Sequence, residues 1–489
     1  FPQTFSASNT AGIEPRSAYL KVIGDFTRWN NQLVFGCDDS AQKEFLNTRK
    51  EKGGIEGPGQ SNSNLWFTSF DKPDQLGPAT AFGSVWLRES VTANQASEPY
   101  LFSGWNKRCA WIKNTGEQSV TFTFEVDKQG NNQWLNLKKV LVAPNSSAYV
   151  EFTPEEKGTW VRVVTNKNTS ASVSFAYTTD DNRSNVADAM FNGISTIDAG
   201  KSLGGLLYGL GDNKRAMGIL ANNNDGEIGY YEIDENMNIV KKEDDKTASF
   251  IRTKFAIAKN VIEVEKGSVL IVDAKGRRWR LPLGDNAYKE PSLNGELRIC
   301  REVATERDLL NCFGTFYELP AENADGFAKI RPISSHNLRV EDYASYRGLL
   351  IMTGIAKDMV GKNPHIFASK DKKVAVWAGT IDDLWNLGKP VGFGGPWVDT
   401  AVKANEVSDP YLISHYINRS LSLSHKGNET VNFRIEVDPT GDGTFVEYTR
   451  FAVKAGEKFN YTFPEGFQAR WIRFTTDKDV VATAWLDYK

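Results

Sequence analysis

The sequence predicts an all-β protein: a β-propeller of about five to seven blades, seven favoured, carrying two copies of a small β-sandwich. Three observations predict it. Residues from about 66 to 177 recur at 377 to 488 with a constant step of 311 positions, as from Trp66 to Trp377, without insertion or deletion. Chance does not hold register over that distance, so a structural unit is duplicated. Apolar and polar residues alternate in short runs such as 120–126 and 171–177, the period of a half-buried strand. Helical patterns are scarce, a turn or two at 186–191 and at 381–387.

The chain opens on hairpin material. Gly24-Asp25-Phe26-Thr27-Arg28-Trp29 followed by Gln32-Leu33-Val34-Phe35-Gly36 resembles Glu341-Asp342-Tyr343-Ala344-Ser345-Tyr346 followed by Leu349-Leu350-Ile351-Met352. The step is about six longer here, which puts extra residues of the first copy between roughly 37 and 63, a charged, Gly-rich stretch of loop composition. Strand runs punctuated by turn signals such as Asn114-Thr115-Gly116 then define two antiparallel sandwiches, at 93–179 and 405–489. Between them, hairpins through 206–211, 229–233 and 270–281 leave room for about four blades of roughly 40 residues each. The propeller is therefore expected over 1–92 and 180–404, with the first sandwich inserted into it. Ser369-Lys370-Asp371-Lys372-Lys373 leading to Val376-Trp377 resembles the Ser-x-Asp-x-Gly-x-x-Trp turn of sialidase-like propellers, with Lys373 in place of the Gly. In that turn the Asp accepts backbone N–H groups and the aromatic packs beneath it.

With 58 basic and 61 acidic side chains, the charge is nearly balanced, which argues against nucleic acid and a membrane surface as partners. No apolar run reaches the roughly 18 residues of a membrane-spanning helix. The 13 Trp suit strands and, equally, the apolar face of a sugar. The chain begins Phe1-Pro2-Gln3, which fits a processed mature form or a trimmed chain; a secreted or periplasmic location is expected. The four cysteines (Cys37, Cys109, Cys300, Cys312) lack metal-site spacing, and Cys300 with Cys312 reads either as a disulfide across a hairpin or as buried thiols. No Walker loop, dinucleotide fingerprint, His-Glu-x-x-His or Gly-x-Ser-x-Gly element occurs, and no cofactor or metal is expected.

Ser335-His336-Asn337-Leu338-Arg339-Val340 with Asp342 to Leu350, and Asp383 to Pro390 with Gly394-Gly395-Pro396-Trp397, resemble segments of secreted Bacteroidetes proteins that accompany glycan-degrading systems. In architecture the chain is similar to β-propeller polysaccharide lyases and to the rhamnose–glucuronate-cleaving propeller enzymes, which use His and Tyr in a pocket on one face. The resemblance implies a poly- or oligosaccharide partner, an acidic one among the candidates, cleaved by a lyase or a glycoside hydrolase. The alternatives are a non-catalytic glycan-binding protein and a protein-interaction scaffold.

Elimination from a uronic acid needs a base for the proton alpha to the carboxylate, and cations for the developing enediolate. His336 or Tyr346 is the candidate base, with Arg339 and Arg347 holding the carboxylate. His365, ahead of an apolar strand, is a further catalytic candidate. Lys214, Arg215, Asp38 and Asp39 are candidate substrate-binding residues, although Lys214-Arg215 and Arg277-Arg278 read equally well as solvated hairpin tips. Hydrolysis needs two carboxylates instead. Asp38, Asp39, Asp212, Asp342, Asp382 and Asp399 are all candidates, and spacing selects no pair. Glu125/Asp127 and Glu436/Asp438 occur in both sandwiches, as do Trp160-Val161-Arg162 and Trp471-Ile472-Arg473, and are read as structural. His415 and His425 stand where the first copy has Gly104 and Asn114, and are read as surface substitutions.

Overall fold

The computed structural model describes residues 6, 8–38, 63–199, 202–210, 216–304 and 307–489. The fold is all-β and the two sandwiches match strand for strand. In the first, one sheet runs Tyr100–Leu101, Trp160–Thr165, Val120–Asp127, Trp134–Val142, and the other Thr80–Val91, Thr169–Thr178, Lys107–Asn114, Ser146–Phe152. In the second, Tyr411–Leu412, Trp471–Thr476, Val431–Asp438, Val446–Val453 face Gly392–Val402, Val480–Tyr488, Arg419–His425, Phe459–Thr462 in the same order. Alternation sets the faces: Val120, Phe122, Phe124 and Val126 are buried in the core while Thr121, Thr123 and Glu125 between them are not. The repeated Glu and Arg pair across neighbouring strands, Arg162 to Glu125 at 2.7 Å and Arg473 to Glu436 at 2.9 Å.

Each sandwich begins earlier than the boundaries at 93 and 405. Thr80–Val91 and Gly392–Val402, expected to be blade strands, pair along their lengths with Thr169–Thr178 and Val480–Tyr488. Both carry register shifts, with Arg88 and Asp399 at φ 56° and 51°. A bulge breaks the period-2 pattern, which hides such a strand from a reading based on alternation.

The duplication extends beyond the sandwich. The N-terminal sheet, Ile23–Trp29, Gln32–Asp38, Ser63–Thr68, has the pairing order of Tyr343–Tyr346, Leu349–Met352, Ala375–Gly379, to which Ile366–Ala368 adds an edge. The repeated module is thus a small sheet followed by a sandwich. In the C-terminal copy both faces of the small sheet are packed, one against sheet 204–241 and one against sheet 300–335. In the N-terminal copy Phe26, Trp29 and Phe67 are 67%, 61% and 49% exposed.

Between the modules lie four-stranded meanders at 204–241 and 300–335, and the hairpin Val269–Val272/Arg278–Leu281. That hairpin continues into the second sandwich through a parallel pairing of Arg280 with Tyr411. Its turn is closed by Asp273, which accepts N–H bonds from Lys275, Arg277 and the Trp279 indole. Asp371 does the same six residues before Trp377, accepting from the Ser369 hydroxyl at 2.6 Å and the Lys373 N–H at 3.2 Å. Lys372, at φ 56°, takes the left-handed position, so this turn closes without glycine. One α-helix, Asp245–Lys254, was not indicated by the sequence pattern; Asp244 caps it, and Ala248 and Ile251 seat it on sheet 204–241. Of the expected helical turns, Ile381–Leu387 and the shorter Ala189–Phe191 form as 3-10 helices. No helix among the described residues is long and apolar enough to cross a membrane.

All four thiols are free. Cys300 lies opposite Leu310, and Cys312 opposite Thr315, so the register of the hairpin separates the two sulfurs and no disulfide forms. Burial pushes the Cys312 thiol up to about 12. Unreduced protein, once unfolded, is expected to titrate four thiols with a chromogenic disulfide reagent; two would establish a bridge after all.

Candidate functional site

A pocket of about 440 Å³ opens where sheet 204–241, the end of the α-helix and the segment 339–341 meet. Arg339-Val340-Glu341-Asp342 leads into strand Tyr343–Tyr346. Val340 goes to the core, while Arg339 and Glu341 line the pocket. Glu341 is tucked under sheet 204–241. It accepts hydrogen bonds from the Asn222 side chain and the Gly205 backbone. A Cβ at Gly204 would run into its carboxyl group, so glycine is what lets the carboxyl in. Burial pushes the Glu341 carboxyl up to about 7, against the opposing pull of Arg339, with Glu296 adding to the rise. Arg339, its side chain 4% exposed, sits between the two acids. Its Nη2 contacts Glu296 Oε2, and its Nε lies 3.8 Å from Glu341 Oε1. Arg252 and Glu227 form an ion pair among the pocket's lining residues.

Asp342, one residue on, has the opposite fate. Burial would raise its carboxyl, but Arg301 and Arg298 override that and hold it below the usual range. Its oxygens accept from Arg298 Nε at 3.0 Å, Arg301 Nη1 at 2.8 Å and the Leu207 N–H at 2.9 Å. The first strands of three sheets (204–209, 300–304 and 343–346) are thereby tied at one point. Adjacent carboxyl groups driven in opposite directions mark a candidate site.

Of the described residues singled out by sequence, only Arg339 lies in this pocket. His336 is fully engaged elsewhere: its Nδ1 accepts the Leu338 N–H at 3.1 Å, its Nε2 meets Asn311 Oδ1 at 3.1 Å, and its ring lies on Phe316. Burial lowers it to about 3, which corrects its assignment as a base. Tyr346 is buried between sheets, its hydroxyl donating to Ile233 O at 3.3 Å, and burial pushes it up to about 12. His365 bonds through Nδ1 to Ala378 O at 2.9 Å and stacks on Trp377. Arg347 is exposed at the turn after Tyr346, on the far side of strand Tyr343–Tyr346 from Arg339. Asp38 ends strand Gln32–Asp38, and its side chain, like Asp39, Asp212, Lys214 and Arg215, lies outside the described residues. Asp382 is spent on the Leu20 and Lys21 N–H groups, and Asp399 on Lys426. His415 is half-buried with both ring nitrogens shut off from solvent, and His425 bonds through Nε2 to Val453 O at 3.0 Å. Glu341 and Glu296 were missed. Among the described residues no cluster of three or more His, Cys, Asp or Glu is placed to hold a metal.

No protein-family model and no curated protein matches the chain. Among solved structures, PirA aligns at 17% identity over 20% of this chain and 92% of its own, with a TM-score of 0.14. The PBSX exported protein XepA aligns at 8% identity over 84% and 86%, with a TM-score of 0.16. Oxalate decarboxylase from Bacillus subtilis aligns at 10% identity over 98% and 77%, with a TM-score of 0.15. Scores this low assign neither fold nor function.

Proposed function

We propose that this protein is a glycan-cleaving enzyme of the hydrolase type that works in the Glu341 pocket. The observation that carries the reading is Glu341, a carboxyl group kept protonated near neutral pH beside the Arg339–Glu296 pair in an open pocket. Glu341 donates its proton to the glycosidic oxygen as the C–O bond breaks. Glu296, paired with Arg339, takes a proton from the water whose oxygen bonds to the anomeric carbon. One guanidinium lies between both acids, and direct displacement by water calls for carboxyl groups roughly 6.5–9.5 Å apart. Elimination loses support, because His336 and Tyr346 are buried outside this pocket. The substrate class, a poly- or oligosaccharide, and a secreted or periplasmic location belong to the same proposal.

The propeller belongs to it too. The sheets at 23–68, 204–241, 300–335 and 343–379 are candidate blades, and the strands at 263–281, which extend a sheet of the second sandwich, would be a fifth, the low end of the expected range. The rival reading, a non-catalytic glycan binder, draws on the exposed Phe26, Trp29 and Phe67.

A panel of neutral and acidic glycans tests the proposal. New reducing ends without new ultraviolet absorbance are the expected result. Absorbance from unsaturated ends would replace hydrolysis with elimination. Binding without either product would leave the binder reading in its place.

A further inference from the structure

Gly104 and His415 occupy the same place in the two sandwiches. Both are left-handed, at φ 88° and 65°. Glycine takes that conformation freely, but a histidine there is strained and needs a reason. In the first copy the spot is filled, since a Cβ at Gly104 would run into Pro15. In the second copy the imidazole lies 5.5 Å from the ring of Phe82, in a pocket of about 230 Å³ between the sandwiches. Both of its nitrogens are shut off from solvent and neither has a hydrogen-bond partner. Burial, with Arg470, Arg331, Arg419 and Arg183 around it, holds the ring neutral far below its usual range.

Arg419 departs from its counterpart in the same way. Arg108 in the first copy donates Nη1 to Phe102 O at 3.2 Å, and Nη2 to Thr153 O and Glu156 O at 2.9 Å. Arg419, 4% exposed, gives Nη2 to Phe467 O, but its Nη1 is buried without a partner, and the residue borders the pocket. The groups that act on its charge are Tyr488, Cys109, Tyr149 and Tyr448, none of them a carboxylate. A buried guanidinium without a counter-charge is costly; in the first copy both Nη atoms of Arg108 are bonded and only its Nε is buried without a partner. The acids nearby do not supply the charge. Asp181 gives both oxygens to Arg183, at 2.9 and 2.7 Å, and Glu465 sits on the exposed rim. Lys107, also lining the pocket, pairs with Asp180 at 2.9 Å.

We propose that this inter-sandwich pocket binds a small oxyanion, a carboxylate or phosphate group, held by Arg419 Nη1 and the imidazole N–H of His415. An anion supplies what both groups lack, acceptor oxygens and, for Arg419, the missing charge. The site is independent of the Glu341 pocket and of any glycan cleavage there.

Calorimetric titration and thermal melts with sodium phosphate and with sodium glucuronate, each against sodium chloride at matched ionic strength, test it. At least one of the two anions is expected to bind one to one and raise Tm; phosphate alone points to the free ion, glucuronate alone to an acidic sugar. His415→Gly installs the first copy's residue and relieves the strain, so this variant should melt no lower than wild type, yet bind about tenfold or more weakly. Arg419→Gln should weaken binding similarly; if it does not fold, His415→Gly decides alone. The proposal is overturned if neither anion acts beyond chloride, or if the variants bind as wild type does.

Discussion

Asp342→Asn is expected to destabilise the protein by roughly 3–5 kcal/mol, the cost of removing one partner from a buried ion pair and leaving the other. Asp342 is fully buried and is the shared acceptor of Arg298 and Arg301, whose side chains are 14% and 4% exposed. The amide keeps the shape and loses the charge that both guanidinium groups face. Because the carboxylate also receives the Leu207 and Tyr343 N–H groups, the damage spreads to the inner edges of the sheets joined there. Urea unfolding measures it as a lower midpoint; a shift worth less than about 1 kcal/mol would sink this account. The pH dependence follows from the sign of the shift. The folded carboxyl is held below its ordinary value, so its stabilisation is present above that value and is lost as pH falls through the folded one. The gap between wild type and variant should therefore be widest near neutral pH and close in acid.

How much of this was legible in sequence depends on how local the cause is. The sandwiches were legible because alternation is written residue by residue and the duplication supplies a second reading of each strand. Thr80–Val91 was not, because its bulges break that alternation. The helix Asp245–Lys254 buries only Ala248 and Ile251, too narrow a stripe to register as helical periodicity. At the site, Arg339 was found as a cation beside a strand, but its partners were not. The character of Glu341 comes from burial, which outweighs the opposing pull of Arg339 and of its bonds to Asn222 and Gly205, more than a hundred positions away, and burial of that kind leaves no local mark. One signal was available. Asp25 and Asp342 are equivalent and each accepts the next residue's N–H at 2.8 Å, whereas Glu341 stands where the first module has Gly24. Where two copies agree the residue serves the module; where they differ, as at Glu341 and His415, one copy has been put to another use. His336 failed for the converse reason: its position at a strand end was read well, but its ring atoms were already taken by Asn311 and Leu338.

Glu341→Gln should separate function from stability, because the two are expected to move in opposite directions. As the proton donor, Glu341 contributes a general-acid effect of about 10²- to 10⁴-fold, and the amide has no proton to give. Hydrolysis of an unactivated glycan is expected to fall by that much. Cleavage of an aryl glycoside whose leaving group needs no proton should fall far less. Wild-type activity should decline as pH rises through about 7, where Glu341 loses its proton, and the variant's residual activity should lack that limb. Stability runs the other way. The folded carboxyl is raised from an ordinary 4.5 to about 7, so between those values the folded state holds a proton that the unfolded chain releases. Wild-type stability therefore falls with rising pH across that window, and the amide, which is never charged, removes the slope. At pH 8 the variant is expected to be more stable by roughly 1–3 kcal/mol, measured by urea unfolding. A residue placed only for packing would lose both properties together or neither. Loss of turnover with a gain in stability above pH 7 is the pattern of a carboxyl group kept buried, at a cost to the fold, for the proton it carries.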